Sequence, residues 1–292
     1  MKIVITGSLG HIGKPLTEEL VRKGHAVTVI SSKSEKEKDI EALGATAAIG
    51  SVEDAAFLAK AFAGADSVFT MVPPNFGATP DQLTYYKRVA GHYAEAIKQA
   101  GVKRVVNLSS YGAHLDSGTG IILGAHHAEN ILNGLADVSI THLRPGYFYY
   151  NLYNFTGMIK AQGIIGSNYG GDDRLMLVAP SDIAAVAAEE LQATTGAGLR
   201  YIVSDDRSAN DVAQVLGAAI GKPDLQWLVF SDDQTAEGLK QSGMPASFIS
   251  AFVELGASIH NGRLREDYDR HQLMENGSVK LEGFAKEFAA AF

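Results

Sequence analysis

The chain has 292 residues, 46% of them hydrophobic and 20% charged, with a formal net charge of −8 and no cysteine. This suits one large α/β unit with an appended smaller region, and the lack of cysteine excludes disulfides, thiol nucleophiles and thiolate metal sites. The acidic balance opposes direct nucleic-acid binding, no stretch approaches the ~20 apolar residues of a bilayer span, and MKIVITG leaves no room for a leader, so a cytoplasmic protein without membrane insertion is expected.

The first predicted strand, Lys2–Thr6, opens into Gly7-Ser8-Leu9-Gly10-His11-Ile12-Gly13, and a helix follows at about His11–Lys23 with Pro15 near its first turn. Glycines at this spacing after a buried strand serve a tight turn, close approach of backbone to a pyrophosphate, and close helix–strand packing. The N–H groups at the helix start then hold the anion. A dinucleotide site is therefore expected over Gly7–Gly13. The second strand, Ala26–Ile30, ends in Ser31-Ser32-Lys33. An Asp or Glu at this point would bind the ribose 2′-hydroxyl of NAD and repel a 2′-phosphate. Two hydroxyls and an ammonium predict NADP(H) as the preferred cofactor, with NAD(H) possible; Glu35 and Glu37 read as helix-surface charge.

Helices are then expected at Glu35–Leu43, Asp54–Phe62, Asp81–Ala100 and Ile122–Gly134, and strands at Ala45–Ile49, Ser67–Met71, Arg104–Leu108 and Ser139–Leu143. Short apolar strands alternating with helices specify a parallel sheet covered on both faces: an α/β, Rossmann-type doubly wound fold. After Arg144 the alternation gives way to Pro145–Gly171, rich in glycine and aromatics, and Leu199–Ser204 reads as a further strand with the helix Ala209–Ile220 behind it. The expected organisation is a dinucleotide-binding domain over 1–150 and a smaller substrate region over 151–292, interleaved, which returns at least one strand, about 199–204, to the main sheet. Phe248–Leu255 and Gly283–Phe292 are amphipathic; Phe284, Phe288 and Phe292 recur every four residues, as on a helix packed against a core.

Short-chain dehydrogenases pair a general-acid Tyr with a Lys four residues later. None of the eleven tyrosines here has a lysine at that position. Hydride transfer does not require the pair, because the nicotinamide carries the chemistry and the protein orients the reacting carbons. Tyr111, just past a strand that ends at the expected crevice, is a candidate proton donor or a packed wall residue. The cluster Tyr147, Phe148, Tyr149, Tyr150, Tyr153 and Phe155 offers faces for stacking an aromatic substrate, with some members packing inward. His126 and His127 stand about 100° apart on a helix, so only one can face a ligand well. Asp172-Asp173 and Asp205-Asp206 read as turns and helix caps. No histidine or carboxylate cluster at helical spacing indicates a metal.

The segments ITGSLGHIG, VISSK, FTMVPPN, RVVNLSSYGAH, HHAENIL, LRPGYFYYNLY, APSDIAAVAAEEL and YIVSDDRSANDVAQVLGAAIGK follow one another through most of the chain. In their order and spacing the sequence resembles the NmrA-like group of atypical short-chain dehydrogenases, which includes quinone-reductase and triphenylmethane-reductase-type proteins. The resemblance implies NADPH-dependent reduction of a quinone or conjugated ring, though some relatives bind the cofactor only as redox sensors. Carried over by position, Gly7, Gly10 and Gly13 with Leu9, His11 and Ile12 resemble the pyrophosphate turn, and Ser31, Ser32 and Lys33 the 2′-phosphate site. Val72, Pro73 and Pro74 resemble the segment beneath the adenosine and ribose, and Ser109, Ser110 and Tyr111 leave the fifth strand where the nicotinamide is expected. His126 falls where the family has a Lys or His facing the ribose, and Asn130 where relatives often carry Glu, which puts a family proton relay in doubt. Pro145, Gly146, Tyr147 and Phe148 resemble the segment shaping the nicotinamide and substrate side.

The leading expectation is thus a reductase that passes hydride from NADPH to a quinone-like or conjugated aromatic small molecule, with Tyr111 or His126 as candidate proton donors and Tyr111, Tyr147, Phe148, Tyr150 and Tyr153 on the substrate side. A non-catalytic NADP(H) sensor is the alternative. A nucleotide-sugar epimerase or dehydratase, which shares the fold but normally needs the Tyr–Lys pair, ranks third.

Overall fold

A computed structural model describes residues 1–75, 77, 81–271 and 276–292. The chain begins β1 (Lys2–Ile5), α1 (Gly13–Arg22), β2 (Ala26–Ser31), α2 (Glu37–Ala42), β3 (Thr46–Ile49), α3 (Ala55–Phe62), β4 (Ser67–Thr70) and α4 (Gln82–Ala100). It continues with β5 (Arg104–Leu108), α5 (Leu123–Asn133), β6 (Ser139–Pro145), β7 (Tyr147–Phe148), α6 (Thr156–Gln162), β8 (Ile164–Ser167), β9 (Arg174–Val178) and α7 (Pro180–Gln192). Then come β10 (Leu199–Ile202), β11 (Asp205–Ser208), α8 (Ala209–Ala219), β12 (Gln226–Val229), α9 (Asp232–Gln241), α10 (Ala246–His260), α11 (Glu266–Arg270) and α12 (Leu281–Ala289). Two compact units interleave along the chain: one holds Met1–Ser110, Gly124–Arg144 and Ile183–Arg200, the other Tyr111–Leu123, Pro145–Asp182 and Tyr201–Phe292.

The first unit is built on a seven-stranded sheet in the order β10-β6-β5-β4-β1-β2-β3. Its pairs run parallel, with Val4 opposite Thr28 on one side and Val68 on the other. Val4, Ile5, Val68, Phe69, Val105 and Val106 are fully buried, as strands covered on both faces must be. Leu58, Phe62, Val89, Tyr93 and Leu132 complete the core against Val4, Val68 and Val105. Helix starts obey capping chemistry: Asp54 Oδ1 accepts the Phe57 N–H at 3.0 Å and Asp81 Oδ1 the Thr84 N–H at 2.8 Å. Both aspartates, read from sequence as first helical residues, are the caps. A short 3₁₀ turn, Ser34–Lys36, takes the place of the expected first turn of the second helix.

The sheet order sets the position of the crevice. From β1 the chain adds β2 and β3 on one side, then returns to place β4, β5 and β6 on the other. Ligands of open α/β sheets bind at the carboxyl ends of the strands where that reversal occurs, here β1 and β4.

The second unit has a three-stranded sheet, β11-β9-β7, in which β9 runs antiparallel to β11 and parallel to β7, and a parallel pair β12-β8. Tyr149, Leu175, Leu177, Trp227, Phe284 and Phe288 belong to its core. Of the phenylalanines spaced by four, Phe284 and Phe288 are buried, whereas Phe292 lies beyond α12 and is 42% exposed. The Asp205-Asp206 pair, expected as a turn or cap, lies in β11. Asp206 there pairs with Arg174 and Arg265, and capping of α8 falls to Ser208, whose hydroxyl accepts the Asp211 N–H at 3.0 Å. Asp173 does serve a turn, accepting the Gly170 N–H at 2.8 Å. Asp182 accepts from the Ser204 hydroxyl at 2.6 Å, the Ser278 hydroxyl at 2.9 Å and the Val279 N–H at 3.1 Å, tying the segment before α12 to the start of α7. Among the described residues no helix is long and apolar enough to cross a membrane.

Candidate functional site

The glycine turn stands at the carboxyl end of β1, and two of its glycines are required by the backbone. Gly7 has φ +93°, and a Cβ there would lie 2.4 Å from Met71 Sδ. A Cβ on Gly13 would come within 2.0 Å of the Ser8 carbonyl oxygen. At Gly10 it would meet only the Gly7 carbonyl, at 3.3 Å, on an exposed surface. The left-handed backbone therefore dictates the first glycine and close backbone approach the third, while the second leaves backbone exposed to a ligand. Leu9 is half-buried, His11 exposed and Ile12 buried. The turn carries α1 away from Ile12, so the helix begins at Gly13 rather than at the expected His11.

No side chain caps α1, in contrast to α3, α4 and α8; the apolar Ile12 occupies the N-cap. Lys14 N–H already donates to the Gly10 carbonyl at 3.1 Å and Pro15 has no N–H, so the helix offers the turn chiefly the positive end of its dipole, with no capping carboxylate or hydroxyl there, an arrangement suited to a pyrophosphate. The turn is fastened to both neighbouring strands. Ser8 N–H donates to the Ile30 carbonyl at 3.0 Å, Thr6 N–H to the Phe69 carbonyl at 3.0 Å, and Met71 N–H to Thr6 Oγ1 at 2.9 Å.

At the end of β2, Ser31 is buried while Ser32 and Lys33 are exposed. The Ser31 hydroxyl turns inward, 3.0 Å from that of Ser8 and 3.2 Å from the Lys33 N–H. After β4, Val72 is buried, Pro73 half-buried and Pro74 exposed. The Tyr93 hydroxyl donates to the Met71 carbonyl at 2.7 Å and holds that segment from below.

At the carboxyl end of β5 the Ser109 hydroxyl donates to Glu129 Oε1 at 2.5 Å, and Arg144 grips the same carboxylate through Nε at 2.9 Å and Nη2 at 2.6 Å. Burial pushes the Glu129 carboxyl up, but the Arg144 hydrogen bonds and charge outweigh it and leave its pKa below the usual range. Sequence reasoning did not select Glu129, the neighbour of the Asn130 it noted. Asn130 instead donates through Nδ2 to His126 Nε2 at 2.9 Å. The rings of His126 and His127 meet edge to face, with centroids 5.3 Å apart.

The second unit gathers phenols. Tyr111 is buried, with its N–H donating to the Pro145 carbonyl at 3.0 Å. The Tyr147 hydroxyl lies 3.2 Å from that of Tyr169, a residue the sequence reading did not select. Burial raises the pKa of Tyr111 and Tyr147 and pushes Tyr169 up to about 12, so all three hold their protons through the neutral range and can donate but not act as bases. Phe148 and Tyr150 face each other at 5.1 Å and are half-buried. Tyr149 and Phe155 serve the core, Tyr149 stacked on Phe284 at 5.1 Å and Phe155 edge-on to Trp227 at 5.0 Å. Tyr153, expected on the substrate side, stacks on Phe288 of α12 at 5.3 Å. Among the described residues no group of three or more His, Asp or Glu could hold a metal ion.

Residues 7–194 match the profile of a family described as NAD(P)H-binding. The chain is 28% identical over 295 residues to an NAD(P)H azoreductase of Xenophilus azovorans, covering 99% of both chains. Its fold is similar to that of an NADPH-dependent quinone oxidoreductase of Escherichia coli solved with NADPH, with TM-score 0.83 and 21% identity over 98% of this chain and 99% of that one. It is also similar to that of a Citrobacter triphenylmethane reductase solved with NADP(H), with TM-score 0.80 and 20% identity over 98% of this chain and 99% of that one. The fold is thus the doubly wound α/β fold expected from the resemblance. The profile match spans the glycine turn, β2 to β6 and α7, and on that ground the chain belongs to the NAD(P)H-binding family.

Proposed function

We propose that this chain is a cytoplasmic reductase that prefers NADPH and reduces a quinone-like, azo or other conjugated aromatic small molecule. The observation that carries the cofactor preference is the end of β2. No carboxylate stands there to bind a ribose 2′-hydroxyl, and Ser32 and Lys33 are exposed beside the glycine turn. The Xenophilus relative is an azoreductase and two similar folds belong to quinone and triphenylmethane-dye reductases, which supports an extended aromatic acceptor.

When bound, the dihydronicotinamide supplies two electrons and one hydrogen as hydride and leaves as NADP⁺, and the acceptor takes that hydride plus one proton. The protein's part is positional. The turn from Gly7 to Gly13 and the start of α1 hold the pyrophosphate, Ser32 and Lys33 the 2′-phosphate, and Val72–Pro74 border the adenosine ribose. Ser109, fixed by Glu129, and Pro145 are proposed to border the nicotinamide, and His126 the ribose. Tyr147, Phe148 and Tyr150 are proposed to give stacking faces to the acceptor. Tyr111, with its proton held by burial, is the proposed donor to the acceptor's oxygen or nitrogen.

Titration of the purified protein with NADPH and NADH, followed by nicotinamide fluorescence, tests the cofactor assignment; adding a simple quinone or azo dye to the tighter complex tests turnover. Tighter NADPH binding followed by its oxidation supports the proposal. Lys33→Ala is expected to weaken NADPH about tenfold, the scale of a lost charge-assisted contact, and to spare NADH; equal loss for both refutes the 2′-phosphate corner. The absence of a Tyr–Lys pair favours one rival, a protein that binds NADP(H) as a sensor without turnover. Tight binding with no oxidation across quinones, azo dyes and triphenylmethane dyes would decide for it.

A further inference from the structure

The residue that follows the first glycine of the turn is in an unusual conformation. Ser8 has φ +56°, and among the described residues only Asp137 shares a positive φ without being glycine. A glycine would adopt this geometry without strain. What serine adds is a hydroxyl, and the hydroxyl has a definite partner: it donates to Ser31 Oγ at 3.0 Å, from the turn after β1 to the end of β2.

Ser31 is 2% exposed, and its hydroxyl is fully committed. It accepts from Ser8 and from the Lys33 N–H at 3.2 Å, and its own hydrogen points to the Lys33 carbonyl at 3.4 Å. A serine hydroxyl has one hydrogen and two lone pairs, so these contacts use its capacity. The Ser31 carbonyl is committed as well, accepting the Gly50 N–H at 2.9 Å. With its hydroxyl engaged in this way, Ser31 is better placed to position Lys33 than to bind the phosphate itself. What it does is hold both backbone polar groups of Lys33, whose side chain is exposed.

We infer that the hydrogen-bonded hydroxyls of Ser8 and Ser31 fix Lys33 relative to the pyrophosphate turn, and that these two serines determine the preference for NADP(H) over NAD(H) without touching the 2′-phosphate. The inference rests on the placement of that phosphate at Ser32–Lys33 proposed above. Ser8 shares its backbone with the turn, where its carbonyl packs against Gly13 and its N–H is held by Ile30. Through Ser31 the same residue sets the corner that distinguishes the two cofactors. The pyrophosphate, common to both, and the 2′-phosphate, present only in NADP(H), thus meet one connected set of backbone positions.

The test compares NADPH and NADH affinities, by nicotinamide fluorescence, for the full-length protein and its Ser8→Gly, Ser31→Ala, Lys33→Ala and Ser8→Gly/Lys33→Ala variants. Ser8→Gly removes the hydroxymethyl group at a position whose φ suits glycine, so it tests the contact independently of any folding defect in Ser31→Ala. Each serine variant is expected to lower the NADPH-to-NADH affinity ratio about fivefold, the effect of one net hydrogen bond. In the double variant Ser8→Gly should add nothing to the ratio change of Lys33→Ala, because it acts through that residue. Equal losses of both cofactors in the serine variants, or additive effects in the double variant, overturn the inference. If Lys33→Ala itself leaves the ratio unchanged, the 2′-phosphate corner is wrong and the inference falls with it. If Lys33→Ala lowers the ratio and the serine variants do not, only the role of the hydroxyl pair falls.

Discussion

Arg144 on β6 and Glu129 on α5 are joined at 2.6 Å with side chains 9% and 7% exposed, and the same carboxylate takes the Ser109 hydroxyl at the end of β5. Two strands and a helix are thus locked together on the carboxyl side of the sheet, next to where the cofactor's reactive end is proposed to lie. A buried pair adds little net stability over an apolar replacement, but removing one partner leaves the other's charge uncompensated. Glu129→Ala should therefore destabilise by about 3–5 kcal/mol, against about 1 kcal/mol for Ser109→Ala, which loses one hydrogen bond. Urea unfolding of the three proteins checks this; equal small losses would mean that the carboxylate does not organise the strand end.

His142, buried beside that pair, makes stability depend on pH. Its Nδ1 accepts from Asn107 Nδ2 at 3.1 Å and its Nε2 donates to Asn133 Oδ1 at 2.9 Å, an arrangement that suits the neutral ring. Burial lowers its pKa, and the Arg144 charge adds to this while Glu129 opposes it. The unfolded ring titrates near its ordinary value of about 6.5, so below that pH the unfolded state binds a proton the folded state resists. The contribution of His142 is complete above about 6.5 and is lost as pH falls toward the lowered folded value. Unfolding free energy should fall as pH drops below about 6.5, and His142→Gln should flatten that fall; an identical slope in the variant would exclude the residue as its source.

Gly10 offers the sharpest test of the cofactor cradle, because the fold need give only slightly at a position where the proposed ligand leaves no room. A Cβ at this position has a single neighbour within reach, the Gly7 carbonyl at 3.3 Å, and the site is exposed. Gly10→Asp should leave the thermal unfolding midpoint near that of the parent while its carboxylate repels the pyrophosphate and abolishes NADPH and NADH binding. Unchanged affinity for both would remove the turn from the site.

The parts legible in the sequence were those set by local pattern. The strands of the main sheet are apolar runs, and the glycine turn announces itself because Gly7 needs a positive φ and Gly13 has backbone where a side chain would go. The second unit was less legible. β7 has two residues, and β11, with sequence DDRS, carries no apolar periodicity at all. It is a strand because Asp205–Ser208 pairs with Arg174–Leu177, a partner some thirty residues away that no local window contains. Tyr169 was missed for the same reason, since its bond to Tyr147 crosses 22 positions. For Ser31 the pattern marks the corner but does not say which way a hydroxyl points, and the contacts to Ser8 and Lys33 become visible only in the folded chain.

A second buried pair separates stability from cofactor binding. Arg104, the first residue of β5, donates through Nη2 to Glu190 Oε2 at 2.6 Å and to Thr141 Oγ1 at 2.9 Å, with side chains of the pair 7% and 6% exposed. It resembles the Arg144–Glu129 pair in burial and geometry, but it sits at the amino end of the parallel strands, and ligands of open α/β sheets bind at the other end. Glu190→Ala should therefore destabilise by about 3–5 kcal/mol, as Glu129→Ala does, yet leave NADPH affinity at its parent value at temperatures where the variant is folded. Unfolding curves paired with NADPH titrations of both variants distinguish the two ends of the sheet. If Glu190→Ala weakened NADPH as much as Glu129→Ala, the loss would track global stability, and the carboxyl ends of the strands would have no privileged part in holding the cofactor.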